Sequence, residues 1–429
     1  MDNDRPATSF TGISASEAAR RLGVQKETIY SYVSRGMLSS RRVEGKRQTR
    51  LDPVEVARLS ARQRGGAGKA GSLELVVDSG LTLLDPNGGL WYRGWEAVEA
   101  SRSAWFEHVA LWLWGRHPAD IEEGRYLFEA PADLLEQATR AVALTSPRAT
   151  PLDRYLLALA SVAEADPYRH GRDRYGVSNR GARMIAVLVE SLPVTTNSAP
   201  PRPVRGQPRP LAERLWYRLA PRRPSPDQIR ALNAALVLLA DHELATSTLA
   251  ARIAASTWAD IYRVVMAGMS TLGGPLHGSV GDRTVGLLRE AAGAGVGKTV
   301  GEQLRSGERI PGFGHLVYRE RDPRAGALLE EVRRAWPDSE IVTAADSVVA
   351  AVLEEHPTTF PNVDLAIGAL IGAADMIEGS AEAIFATARM AGFIAHGIEE
   401  YSHRLRFRTR AAYTGPEPGS GGPDVTMPG

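Results

Sequence analysis

Through most of this chain apolar residues recur at helical spacing, broken by Gly and Pro. The pattern predicts helices over Ala104–Trp114, Leu152–Ala165, Ile229–Thr257, Asp346–Glu355 and Ala381–Tyr401, with short strand-like stretches only near Leu73–Leu84. The body of the protein is therefore expected to be mostly α-helical. Ahead of it lies a tighter pattern. Ser14-Ala15-Ser16-Glu17 reads as a capping box, followed by the apolar face Ala18, Ala19 and Leu22. Gly23 breaks this helix, and Val24 to Val33 is predicted as a second one, with Val24, Ile29 and Val33 inward and Lys26, Thr28, Tyr30 and Ser31 outward. The second helix ends at Arg35-Gly36-Met37-Leu38. Arg41 to Arg50 then reads as a basic hairpin or wing, and Asp52-Pro53 opens a further short helix through Leu59.

At 429 residues the chain exceeds the usual size of one core. The Gly-rich QRGGAGKAG stretch places a boundary near residue 70, giving a helix-turn-helix domain over 1–62, a linker over 63–71, a large domain over 72–415 and a Gly/Pro-rich, disordered tail over 416–429. The Pro-rich, basic segment 195–210 is expected to be a mobile surface segment. Hydrophobic residues at 43% and charged residues at 24% are those of a soluble globular protein, and no apolar run approaches the ~20 residues of a membrane span. With no cysteine and no secretory leader in MDNDRPATSF, a cytoplasmic location is expected, without a disulfide framework or thiolate metal site. The net charge of +1 hides one local excess: Ser14 to Arg50 carries nine Lys/Arg against the acids Glu17, Glu27 and Glu44, a balance that favours a polyanion.

Four segments put His, Asp or Arg beside residues that bend the backbone: Ala240-Asp241-His242-Glu243, GGPLHG around His277, PGFGH ending at His315, and Asn362-Val363-Asp364. No His-x-x-x-His and no HExxH stands on one helix, so no metal site is expected. A G-x-S-x-G turn and a dinucleotide-binding GxGxxG after a strand are also missing. Taken singly, His242 has an alternative reading as a core histidine capping a carbonyl, Asp364 as a turn or cap residue, and Arg389 and Arg408 as members of surface ion pairs.

Together and in order, LWYRGWEAVE, ADHELATSTLAARIAAST, GGPLHG, PGFGHLVYRERDPRA, PNVDLAIGAL, IFATARMAGFIAHGIEEY and RTRAAYTG resemble the citrate synthase family over roughly residues 73 to 415. The resemblance implies a two-lobed helical body, a homodimer, and an acyltransferase that condenses acetyl-CoA or propionyl-CoA with oxaloacetate, with acyl-CoA as co-substrate and no further cofactor. It implies that Asp364 is the base that removes the thioester α-proton, His277 the donor to the enolate oxygen and His315 the donor to the ketone carbonyl. By the same resemblance His242, Arg324, Arg389 and Arg408 bind the oxo acid, whose carboxylates suit planar guanidinium forks, and Arg319 meets CoA phosphate. The chain departs from the family pattern at Ala245, where asparagine is usual, at Ser279-Val280-Gly281 after His277-Gly278, and at Thr409, where proline is usual.

The stretch from SASEAARRLG to DPVEVARL resembles the winged helix-turn-helix of MerR and excisionase proteins over about residues 12 to 60. That resemblance implies double-stranded DNA as partner, with Lys26, Thr28 and Tyr30 facing bases or phosphates and Arg41, Arg42, Arg47 and Arg50 facing phosphates. Such a module also serves as a protein-binding or oligomerisation domain. Two functions follow as expectations: a synthase with a tethered DNA-binding domain, or a transcription regulator whose synthase-like body senses metabolite.

Overall fold

The computed structural model describes residues 12–42, 49–53, 55–56, 59, 76–117, 119–120, 125–197, 209–274, 280–403 and 407. The chain divides into two compact units, 1–79 and 80–429. In the first, β1 (Ile13–Ser14), α1 (Ala15–Leu22), α2 (Lys26–Ser34), β2 (Ser40–Arg42) and β3 (Thr49–Leu51) form two helices against a three-stranded sheet of order β1-β3-β2. The wing is an antiparallel pair in which Arg41 lies opposite Arg50. Ser14 caps α1 by accepting from the Glu17 amide. The Glu17 carboxylate does not complete the expected box; it pairs with Arg20 and Arg21 one turn on, because two cations within reach outcompete a single backbone amide. Gly23 ends α1 at φ 66°, a left-handed turn that glycine adopts without strain. Ile29 is fully buried with Ala18, Leu38, Leu51 and Val56, and Val24 and Val33 pack against them.

The second unit opens with a small antiparallel sheet of β4 (Thr82–Asp85), β5 (Gly89–Tyr92) and β6 (Trp95–Glu96). Helices follow: α3 (Ala97–Ser103), α4 (Phe106–Leu113), α5 (Ala132–Ala143), α6 (Pro151–Ala165), α7 (Arg174–Ser191), α8 (Leu211–Leu219), α9 (Pro226–Leu238), α10 (Thr246–Ser256), α11 (Ile261–Leu272), α12 (Val280–Ala294), α13 (Val296–Ser306), α14 (Pro323–Ala335), α15 (Glu340–Glu355), α16 (Val363–Ala374) and α17 (Ser380–His403). None of the described helices is long and apolar enough to cross a membrane.

The spine of this unit is α17, buried almost without interruption from Ser380 to Ile398 and packed on α7, α9, α10 and α11. A helix apolar on all sides has no stable place except a core. Its few polar side chains therefore need internal partners. Arg252 of α10, fully buried, supplies three of them: its Nε donates to Glu400 at 3.0 Å, and its Nη1 to Glu399 at 2.7 Å and to His396 Nδ1 at 3.0 Å. With Nδ1 accepting, His396 turns its Nε2 to the Asp241 carboxylate at 3.3 Å.

That network explains the largest departure from the predicted helices. The run Ile229–Thr257 is two helices, α9 and α10, with a break at 239–245 that holds Asp241 and His242. No glycine or proline marks it. Tertiary bonds replace the helical ones: Ala240 O accepts from the Gly392 amide at 2.9 Å, and Asp241 accepts from the Thr82 hydroxyl at 2.5 Å and from the Glu243 amide at 3.3 Å. Glu243 is driven to φ 57°, a strained value for a residue with a side chain. The Tyr92 hydroxyl lies 3.1, 3.2 and 3.3 Å from the carbonyls of Val237, Leu238 and Asp241, closing the end of α9. Replacing Arg252 by Met would strand the fully buried Glu400 carboxylate; we expect a loss of about 3–5 kcal/mol, read as a large fall in the thermal unfolding midpoint.

Candidate functional site

His315 and Asp364 stand on two turns that are stitched together. The Gly314 amide donates to Phe360 O at 2.8 Å, the Asn362 amide to Gly312 O at 2.9 Å, and the Asn362 side chain to Gly314 O at 2.8 Å. Gly312 and Gly314 adopt φ of 85° and 72°, and a Cβ on Gly312 would meet Leu365 Cβ at 2.9 Å, so the PGFGH sequence is the one that lets the two turns approach. Asn362 also caps α16 by accepting from the Asp364 amide at 3.0 Å, which places Asp364 in the helix's first turn.

Both turns share one electrostatic anchor. Asp322 caps α14, and its carboxylate takes a two-pronged bond from Arg324, Nε at 2.9 Å and Nη2 at 2.8 Å, while the Val363 amide at the start of α16 donates to Oδ2 at 3.0 Å. Arg324 and Asp322 are both buried. Burial pushes the Asp322 carboxyl up, but the Arg324 charge and hydrogen bonds outweigh it and hold the group below the usual carboxylate range.

Around this pair the two neighbouring groups are pushed towards their neutral forms. Burial lowers His315 to about 4, with Arg324 adding to the shift and Asp322 opposing it. Its Nδ1 accepts from the amides of Val317 at 3.0 Å and Tyr318 at 3.2 Å, so the neutral ring carries its proton on Nε2. Burial raises Asp364 to about 6; Arg324 pulls it down and Asp322 raises it further. A carboxyl near 6 and a neutral imidazole donor on two interlocked turns, both within the field of Arg324, make an arrangement suited to moving a proton at neutral pH.

His242 enters from the α9–α10 break. Its ring lies edge-on to His315, 5.1 Å between centroids, and 5.7 Å from Tyr318, whose ring is 4.7 Å from His315. Arg389 is buried in α17, so the surface ion-pair reading of this residue fails: the core spine holds it away from the surface. Its Nε donates to Leu239 O at 2.9 Å, next to the same break, and its Nη1 has no hydrogen-bond partner among the described residues. Burial lowers Arg389 to about 10, Asp241 opposes that, and the nearby charge of Arg324 adds to it. Two buried guanidiniums close enough to feel each other, one with an open donor, make a site that favours an anion.

Other predicted residues fall elsewhere. Arg319 is exposed, its amide donating to Pro86 O at 2.9 Å. Lys26 and Tyr30 are exposed on α2, and Thr28 is partly buried between them. Arg50 is also partly buried, with Nη1 donating to Gly12 O at 3.1 Å. Arg41 and Arg42 lie on β2, where only the backbone is described. His277, Arg408 and Arg47 lie outside the described residues, as do the linker 63–71, the departures at Ser279 and Thr409, and the tail from 416. Ala245 occupies the N-cap of α10 and provides no side-chain cap. Sequence reasoning passed over Asp322, Tyr318 and His396, and named Asp241 only as part of the His242 segment. Asp322 was detectable as the acid two residues before Arg324, but nothing local marks Tyr318 or His396. Among the described residues no group of three or more His, Asp or Glu could hold a metal ion. A pocket of about 370 Å³ borders the outer side of the Asp322 turn, lined by Gly88, Glu96, Arg102, Arg321 and Phe360, but it includes none of the predicted substrate residues.

The helical body thus gathers buried or partly buried His, Asp and Arg side chains on the His315 turn, the Asp364 turn and the α9–α10 break. The family model for the citrate synthase C-terminal domain matches residues 73–410, and the chain belongs to that family. A second model, the MerR helix-turn-helix family of regulatory proteins, matches residues 13–64. Citrate synthase 2 of Bacillus subtilis is 35% identical over 211 residues, 48% of this chain and 56% of that protein. Citrate synthase of Haloferax volcanii is 29% identical over 361 residues, 80% of this chain and 94% of that protein. Among solved structures, citrate synthase from Thermotoga maritima superposes with a TM-score of 0.65 at 26% identity, covering 80% of this chain and 94% of that one.

The raised carboxyl sets a stability test. A carboxyl held above its ordinary 3.8 is favourable to the fold only when protonated, so its contribution is intact at low pH and is lost as pH rises through about 6. Asp364→Asn should therefore stabilise the protein at pH 8, by up to about 3 kcal/mol, with the gain vanishing by pH 4. Thermal unfolding across that range measures it.

Proposed function

We propose that the large unit is an active citrate-synthase-type acyltransferase that condenses acetyl-CoA or propionyl-CoA with oxaloacetate, releasing CoA. The observation that carries this reading is the pairing of a carboxyl raised to about 6 with an imidazole lowered to about 4 on two interlocked turns. A thioester α-carbon is a weak acid, so its deprotonation needs a base whose affinity for protons has been increased, together with a donor to the enolate oxygen. Asp364 takes the proton and His277 donates to the enolate oxygen. His315, through Nε2–H, donates to the ketone oxygen of the oxo acid as the enolate carbon attacks the ketone carbon. Water then hydrolyses the thioester to free acid and CoA.

Arg324, Arg389, His242 and Arg408 hold the oxo acid, with Arg319 at CoA phosphate. The open Nη1 of Arg389 supports this assignment, because a buried cation with an unused donor is completed by a carboxylate. The enzyme acts as a cytoplasmic homodimer in which Arg408 reaches the partner's site. The small unit binds duplex DNA, a reading supported by its MerR-family match and by the exposed Lys26 and Tyr30 on α2.

Release of CoA thiol from acetyl-CoA or propionyl-CoA should require oxaloacetate, and Asp364→Ala should lower kcat by about 10²–10⁴-fold. The acid limb of kcat/KM should fall away as pH drops through about 6, where the base becomes protonated. No thiol release by the intact protein, together with metabolite-dependent DNA binding, would instead establish a regulator that senses metabolite without turnover. Binding to duplex DNA should weaken steeply between 50 and 200 mM salt (about 10³–10⁵-fold for a footprint of 6–10 phosphates), and a salt-independent affinity measured by fluorescence anisotropy would rule out phosphate-dominated contact.

A further inference from the structure

Tyr318 is 2% exposed, its ring against both the His242 and His315 rings, with the Arg324 guanidinium carbon 5.7 Å from its ring centre. Its ring is well packed, yet its hydroxyl has no hydrogen-bond partner among the described residues. Native proteins leave few buried polar atoms in that state, because the hydroxyl gives up its bonds to water and gains none in return. Two other atoms share the condition nearby, Arg389 Nη1 and Asp241 Oδ1. The charges of Asp241, Arg324 and Arg389 are all felt at Tyr92, and that of Arg324 at Tyr318 as well, so Arg324 is a charge common to Tyr318 and to Tyr92, which also feels the two residues that carry the other atoms. Burial pushes the Tyr318 phenol upward, which keeps it a donor at working pH.

A donor is what a carboxylate-bearing substrate needs here. Asp322 already occupies two prongs of Arg324. The protein therefore presents a cation partly satisfied, a second cation with an open donor, and a neutral hydroxyl donor on a ring that contacts two imidazoles. We propose that Tyr318 is a substrate-binding residue whose hydroxyl donates to the oxo acid, selecting for a 2-oxo dicarboxylate over acids that offer no acceptor at that position. This rests on the condensation reading given above. The ring alone accounts for packing, and the hydroxyl is used only when the oxo acid is present.

The test is Tyr318→Phe in the full-length protein, which keeps the ring and deletes one donor. The KM for oxaloacetate and its Kd by calorimetry should rise about tenfold, while the KM for acyl-CoA stays unchanged. The ligand-free unfolding midpoint should hold or rise, since the atom removed has no partner to lose among the described residues. The upward shift of that midpoint on adding oxaloacetate should shrink. Unchanged oxaloacetate affinity in the variant, with or without a lowered ligand-free midpoint, overturns the proposal while the condensation reading stands. If the wild-type protein neither binds nor consumes oxaloacetate, that reading fails and takes the proposal with it.

Discussion

The bond between Asp322 and Arg324 is the constraint on which the site depends. One buried carboxylate does three things at once: it caps α14, receives the Arg324 fork and accepts the first amide of α16. Each is a charge-assisted bond in a place where water cannot substitute. Ion pairs of this kind contribute little net stability compared with a well-packed apolar pair, because both charges must be desolvated. What the pair provides is location. It ties the start of α14, which follows the His315 turn, to the start of α16, which carries Asp364, and it leaves a positive charge facing both.

Burial then acts with opposite sign on the two titrating groups. It disfavours whichever form is charged, so the same enclosed surroundings raise an acid and lower a base. Asp364 and His315 move towards each other's range for this reason, to about 6 and about 4. The enclosing surroundings come from the helical body, and the turns come from glycines at 312 and 314 that allow two loops to interlock.

A second set of contacts positions the other half of the site from the core spine outward. α17 carries both Arg389, which reaches back to Leu239, and His396, which reaches Asp241. Gly392 lies between them, its amide bonded to Ala240 and its missing side chain leaving room for the Asp241 carboxylate. Through these contacts a buried helix dictates the shape of a seven-residue break that its own sequence does not adjoin. The strain at Glu243 is a consequence of holding that shape.

Much of this was legible in the chain. Apolar spacing announced a helical body, Ser14 and Gly23 marked the ends of α1, and seven motifs in order carried the family resemblance, because local propensity and turn chemistry are written in neighbouring residues. Exposure of Lys26 and Tyr30 and burial of Ile29 follow from helical period alone. The break inside Ile229–Thr257 was not legible, since the long-range bonds that hold it come from Thr82, Tyr92 and residues near 392. Nor were the burial of Tyr318 and the pairing of Asp241 with Thr82 and His396, which only packing brings about. The sequence by itself determined which stretches are helical and which residue types were available for chemistry. Only the tertiary structure decided which of those groups share a desolvated space, because burial and long-range pairing, which set charge state and leave particular atoms without partners, are properties of the packed whole.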